Sequence, residues 1–178
     1  DWYPPEPIAS LALFGKGKRR VVVRGPKASR LEADQVTFDA AEGLGRLSAT
    51  QGATVLLEAD GRKLQARTVE LKRERPTLTG APKPTTVSAL GAVRVRGALP
   101  EKPGSHLELS CGTFRCELAE LGPHRPTRVG PFSARDAVRL LIVSAEKDGE
   151  QRVGLTTETL VGNGSGAPAP LYVRYNSK

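Results

Sequence analysis

The chain has 178 residues, 38% of them hydrophobic and 26% charged, with a formal net charge of +8. That length suits one sizeable domain, and the composition is too apolar for a wholly disordered chain. No run approaches the ~18 consecutive apolar residues of a membrane-spanning helix, and 19 Gly and 14 Pro, scattered rather than clustered, cut the sequence into short segments that disfavour long helices.

There is no Met, so Asp1-Trp2-Tyr3-Pro4-Pro5 reads as a start left by processing, removal of a signal peptide being one route. Val21-Val22-Val23 follows the basic run Lys16-Gly17-Lys18-Arg19-Arg20 and stops at Gly25-Pro26, which is a strand and its turn. Leu31-Glu32-Ala33-Asp34-Gln35-Val36-Thr37-Phe38-Asp39 alternates, but Leu31 and Ala33 share one parity and Val36 and Phe38 the other. One extra residue at a β-bulge or strand corner produces such a flip and returns the later side chains to the core face.

Arg46 to Thr50 and Ala53 to Glu58 read as the next strands, and Asp60-Gly61 is a strong hairpin turn. Leu64-Gln65-Ala66-Arg67-Thr68-Val69-Glu70-Leu71 then repeats the flip, with Ala66 33 residues after Ala33. Phe132 to Leu140, with Ala134, is a weaker copy; the copy due near residue 100 is degenerate, with Leu107-Glu108-Leu109 as its remnant. Such periods mark stacked supersecondary units that bury their apolar faces on one another.

From Ser133 to Lys147 a helix competes: Ser133 and Asp136 resemble a capping box, and Ala137, Leu140, Leu141, Ser144 and Ala145 share a helical face. Val138, Ile142 and Val143 and the match to the repeat favour a strand. Asp148-Gly149 is a hairpin turn, Gly162 to Gly166 a loop, and Leu171 to Tyr175 a last strand. The expected fold is all-β, of repeated antiparallel strands, a β-jelly-roll or β-sandwich. It forms one domain, with residues 1–15 as an N-terminal arm and 100–178 as a less regular half that could be a separate β module.

The pattern of an extended Leu-x-Ala strand, an acidic turn, a small-Gly step at Ser48-Ala49-Thr50-Gln51-Gly52, Asp60-Gly61 and a second Leu-x-Ala strand resembles the OstA-like domain family of periplasmic lipopolysaccharide-transport proteins. The likeness spans residues 30 to 95 and fades afterwards; the Cys111/Cys116 pair and the Pro-rich stretch from Pro82 to Pro103 depart from the family. The resemblance implies a taco-like jelly roll in the periplasm, or in a secreted protein, whose apolar interior holds acyl chains while a basic rim faces phosphates. On this chain the groove or core would be Leu31, Ala33, Val36, Phe38, Val55, Leu57, Leu64, Ala66, Val69 and Leu71, and the rim Arg24, Arg30, Arg62, Lys63 and Arg67.

Residues suited to chemistry are sparse. Cys111 and Cys116 could close a small disulfide loop in an oxidising compartment or remain reduced and half-buried. A zinc site would need His106 and His124 as further ligands, and neither histidine neighbours a likely nucleophile in sequence. Gly15-Lys16-Gly17-Lys18 lacks the spacing of a phosphate-binding loop. Aromatic residues make up 4% of the chain, too few for a nucleic-acid stacking platform, although the positive charge keeps a basic nucleic-acid binder as a third reading.

The expected role is therefore non-catalytic and without cofactor or metal: a cell-envelope protein that binds or carries an anionic amphipathic lipid such as lipopolysaccharide. The alternative is a structural or adhesive β-sandwich subunit that joins envelope partners through strand edges, with Asp1 to Leu13 and Leu171 to Lys178 as projecting arms.

Overall fold

Apolar alternation organises the described residues, and its parity changes at several of the points where the chain bends. The computed structural model describes residues 10–15, 20–25, 29–50, 52–59, 61–73, 84–98, 104–119, 128–146 and 149–162. Among them are twelve strands: β1 (Ser10–Phe14), β2 (Val21–Arg24), β3 (Arg30–Ala33), β4 (Gln35–Asp39), β5 (Leu44–Ser48), β6 (Val55–Ala59), β7 (Arg62–Ala66), β8 (Thr68–Arg73), β9 (Thr85–Ala98), β10 (His106–Ala119), β11 (Arg128–Glu146) and β12 (Gly149–Gly162). Every pairing is antiparallel, and no helix long and apolar enough to cross a membrane occurs among the described residues.

The strands form one meander folded along a crease. The first half-sheet runs β2-β3-β6-β7 and the second β1-β4-β5-β8; β9 joins them, pairing β8 through Thr85–Leu90 and β7 through Arg94–Gly97. β10, β11 and β12 continue both halves, so the strands described beyond residue 100 belong to the same sheet. One inward row of the first half reads Val23, Leu31, Leu57, Leu64, Val95, Leu109, Leu140, Leu155. In the second half the corresponding row reads Leu13, Val36, Leu47, Val69, Ala89, Phe114, Ala134, Leu160.

The crease is crossed in two ways. Chain segments passing from the first half to the second (β3–β4 at Asp34, β7–β8 at Arg67, β10 at Gly112) bend at a single residue, and the parity of inward residues flips there. Segments passing the other way use more chain: residues 49–54 between β5 and β6, and consecutive left-handed residues at Gly91 (φ 76) and Ala92 (φ 50) in β9 and at Asp136 (φ 68) and Ala137 (φ 54) in β11. Backbone bonds carry the ladder across, Gly15 N–H to Asp34 O, Asp34 N–H to Ser48 O, Ala49 N–H to Arg67 O and Arg67 N–H to Gly91 O, at 2.7–3.0 Å.

Side chains lock the bend. Asp34 accepts from the Thr50 backbone N–H (2.6 Å), the Thr50 hydroxyl (2.8 Å) and Arg20 Nε (3.0 Å), and Arg20 also donates to Thr54 O. Gly112 has no freedom to be larger: a Cβ there would lie 2.7 Å from the Asp136 Cβ, and Thr113 Oγ1 donates to Asp136 Oδ2 at 3.0 Å.

The helix competing over 133–147 is absent, because β11 pairs there with both β10 and β12. Ser10–Phe14, read as part of a projecting arm, is instead an edge strand on β4. Residues 1–9, His124, Asp60, Asp148 and the strand expected at Leu171 to Tyr175 lie outside the described residues.

Candidate functional site

Burial divides the interior into a closed part and an open part. Beside the crease, Ala33, Leu47, Val55, Ala66, Val69 and Val93 are all at most 2% exposed and form a continuous core with Ala134, Val138 and Leu160. Each fully buried Val or Leu there contributes roughly 1.5–3 kcal/mol. Away from the crease the half-sheets diverge, and Leu31, Leu57, Leu64 and Val95 on one wall face Leu71, Val87, Cys116 and Leu118 on the other. Between them lies an apolar slot of 420 Å³.

The slot ends inward at Phe114, whose ring lies 6.1 Å from that of Phe132. Its mouth is bordered by Gly25, Ser29, Ala59 and Arg62, the row next outward from Leu31, Leu57 and Leu64. Arg62 shares the inward parity of Leu64, and its stem lies against Gly97, where a Cβ would sit 3.8 Å from the Arg62 Cγ. Its charge reaches the Cys116 thiol in the slot wall, offsetting part of the effect of burial, which pushes that thiol up to about 11. Cys111, buried at the crease, is pushed up to about 11 by desolvation and by the nearby Asp136 carboxylate.

The expected groove residues separate accordingly. Ala33, Val55, Ala66 and Val69 are closed core; Leu31, Val36, Leu57, Leu64 and Leu71 are half-buried and packed on it. Phe38, named for the groove or core, is no core residue: it is 43% exposed and covers Gly45, whose missing side chain leaves the ring a seat about one van der Waals contact away.

Of the expected basic rim, Arg62 alone has inward parity at the mouth. Arg30 and Lys63 border the opening, but their charges are engaged outside, Arg30 with Glu32 and Lys63 Nζ with Glu58 Oε1 at 3.3 Å. Arg24 faces outward beside Arg30 on the edge strand β2, and Arg67 stands at the crease, at the opposite end from the mouth. Parity decides this: the rim assignment used closeness in sequence, whereas alternate residues of one strand point to opposite faces.

Of the far wall of the slot, Leu71 of β8 was named from the sequence, whereas the part from β9, β10 and β11 was missed. Its signal was present, because Leu107, Leu109 and Cys111 against Phe114, Cys116 and Leu118 flip parity about Gly112 as Leu31 and Ala33 do against Val36 and Phe38.

Cys111 and Cys116 are free, and the small disulfide loop is corrected by the strand itself. Five steps of about 3.3 Å along β10 separate them, even with a bend well beyond the ~7 Å between Cα atoms that a disulfide spans. His106 lies on β10 with its Nε2 3.1 Å from Glu108 Oε1. No group of three or more His, Cys, Asp or Glu that could hold a metal ion occurs among the described residues.

A second hollow, of 660 Å³, lies on the outer face of the first half-sheet. It is lined by Lys63, Gln65, Arg94, Arg96, Ser110 and Arg139, with Arg96 Nε 3.6 Å from Glu108 Oε1. Its walls mix these charged and polar side chains with apolar ones such as Leu141. Comparison with protein-family models, with curated proteins and with solved structures finds no match to the chain.

Proposed function

We propose that the protein is a non-catalytic binding protein of the cell envelope, periplasmic or secreted, which holds the hydrocarbon of an anionic amphipathic lipid between its half-sheets. The observation that carries this reading is the slot: 420 Å³ of apolar space left open between two walls that are otherwise closed at the crease, with Arg62 at its mouth. An apolar wall gains about 25 cal/mol per Å² of hydrocarbon surface it removes from water, and a guanidinium at the entrance supplies a charge-assisted partner for a phosphate or carboxylate. The formal charge of +8 favours encounter with anionic amphiphiles and with membranes rich in them. The residues 30 to 95 that resemble the OstA-like family supply one wall of the slot and the Arg62 entrance, which makes lipopolysaccharide the first ligand to try.

The test is native mass spectrometry of the chain purified without detergent, followed by organic extraction. A co-purifying amphiphile, displaced by lipopolysaccharide or by a simpler anionic lipid, is the expected result. A ligand-free protein that takes up no amphiphile of any class overturns the reading.

One observation favours the structural alternative: among the described residues β12 pairs with β11 alone, and its other edge, fourteen residues long, pairs with no described strand. Concentration-dependent assembly in light scattering, lost when Pro is placed at Thr156, would support it.

A further inference from the structure

We infer that the outer face of the first half-sheet carries a binding site for a phosphate monoester dianion, seated over Ser110 between Arg94 and Arg139. The site lies on the opposite face of the sheet from the apolar slot, so it stands whether or not the slot takes lipid. Register places the residues. Ser110 pairs with Arg94 of β9 on one side and with Arg139 of β11 on the other, and all three point outward because Val95, Leu109 and Leu140 beside them form the inward row. Strands ~4.8 Å apart put the two arginine backbones about 10 Å from each other. An arginine side chain is longer than one strand spacing, so both guanidinium groups reach the space above the small serine. That space is the 660 Å³ hollow, which Gln65, Arg94, Ser110, Arg139 and Thr156 line together.

Charge pairing distinguishes this row from its neighbour. The adjacent outward row is compensated across its strands: Glu58 faces Lys63 and Arg96 faces Glu108, at 3.3 and 3.6 Å. The row Gln65, Arg94, Ser110, Arg139, Thr156 sets two cations among neutral hydrogen-bonding side chains. Neither arginine forms an ion pair with a carboxylate among the described residues. Two guanidinium forks and a hydroxyl offer donors to more oxygens than a carboxylate has, whereas a phosphate monoester presents three acceptor oxygens and a charge of about −1.5 to −2 near neutral pH.

Titration of the isotope-labelled chain with glycerol 3-phosphate, followed by amide and arginine side-chain NMR shifts, tests this. Saturable one-to-one binding is expected, with the largest shifts at Arg94, Ser110 and Arg139. Arg94→Gln and Arg139→Gln should each weaken it about tenfold or more, and Ser110→Ala about fivefold. Arg115→Gln, which removes an equal charge from the outer face of the second half-sheet, should weaken it less than about twofold; far-UV circular dichroism checks that the variants are folded. Affinity should fall from about pH 7.5 to about pH 5 as the ester loses its second charge near pH 6, while affinity for sulfate, a dianion throughout, should hold. Protonation of His106, which contacts Glu108 on the rim of the hollow, acts on both anions alike. Vesicles containing phosphatidic acid separate the sources. Vesicle binding that glycerol 3-phosphate displaces and Arg94→Gln weakens assigns the site to lipid headgroups; binding of the soluble ester alone assigns it to free phosphate esters. No saturable binding of either form, a loss in Arg115→Gln equal to that in Arg94→Gln, or a fall with pH shared by sulfate overturns the site.

Discussion

Two leucines on the same folded sheet separate a closed core from an open slot. Leu47 is 2% exposed in the row beside the crease, whereas Leu64 is half-buried and faces the 420 Å³ of apolar space. Leu47→Ala removes buried carbons and leaves a cavity that neighbours cannot fill, at a cost of about 3–4 kcal/mol. Leu64→Ala loses the transfer term of a partly exposed side chain, and the space it vacates merges with space already there, so the cost is about 1–2 kcal/mol. Urea unfolding followed by far-UV circular dichroism, with linear extrapolation to water, measures both. Equal costs, within about 0.5 kcal/mol, would mean that Leu64 packs into an ordinary closed sandwich, and the slot would have to be abandoned.

Further outcomes follow from the crease and the cysteines. Asp34→Ala removes the acceptor of Thr50 and Arg20 and should cost about 1–2 kcal/mol at neutral pH, the partial exposure of the site moderating it. Hydrogen bonds from the Thr50 backbone and hydroxyl, and then Arg20, hold the Asp34 carboxyl below its ordinary value. Its contribution is therefore complete above the unfolded-state value of about 3.9 and is lost as pH falls through the lower folded value. The wild type should lose stability as pH falls below about 4 more steeply than Asp34→Asn; parallel curves would disprove the lock. Gly112→Ala places a Cβ 2.7 Å from the Asp136 Cβ and should cost about 2 kcal/mol, a neutral result showing that β10 and β11 cross less closely. Thiols pushed up to about 11 should react slowly with a thiol reagent at pH 7.5 and at the model-peptide rate once unfolded; rapid native labelling would contradict their burial.

The crease was legible wherever one residue makes the bend, because the parity of Leu31 and Ala33 against Val36 and Phe38, and of Leu64 and Ala66 against Val69 and Leu71, records a side chain displaced by one place. It was illegible in β9 and β11. There, consecutive left-handed residues, Gly91 and Ala92 or Asp136 and Ala137, turn the strand without flipping parity, and nothing in the residue type of an alanine announces a positive φ. The 33-residue period thus corresponds to two crossings of the crease, one out and one back, with Ala33 and Ala66 beside it in both copies. The rest of the slot's far wall, beyond Leu71, was missed because it comes from β9 to β11, distant in sequence and brought opposite Leu57 and Leu64 by the fold alone. The rim was overcounted for a related reason: charge identifies a basic strand, whereas the face is set by parity, and this leaves Arg62 inside while Lys63 is outside.

The most direct test of lipid held between the half-sheets is a set of intermolecular nuclear Overhauser effects between a bound unlabelled dodecanoate and the labelled methyl groups of the protein. Contacts from the acyl chain to Leu57, Leu64, Leu71, Val87 and Val95, with none to the outward Val22, Leu90 and Val161, are predicted. Contacts confined to those outward methyls, or no binding at all, would contradict the account.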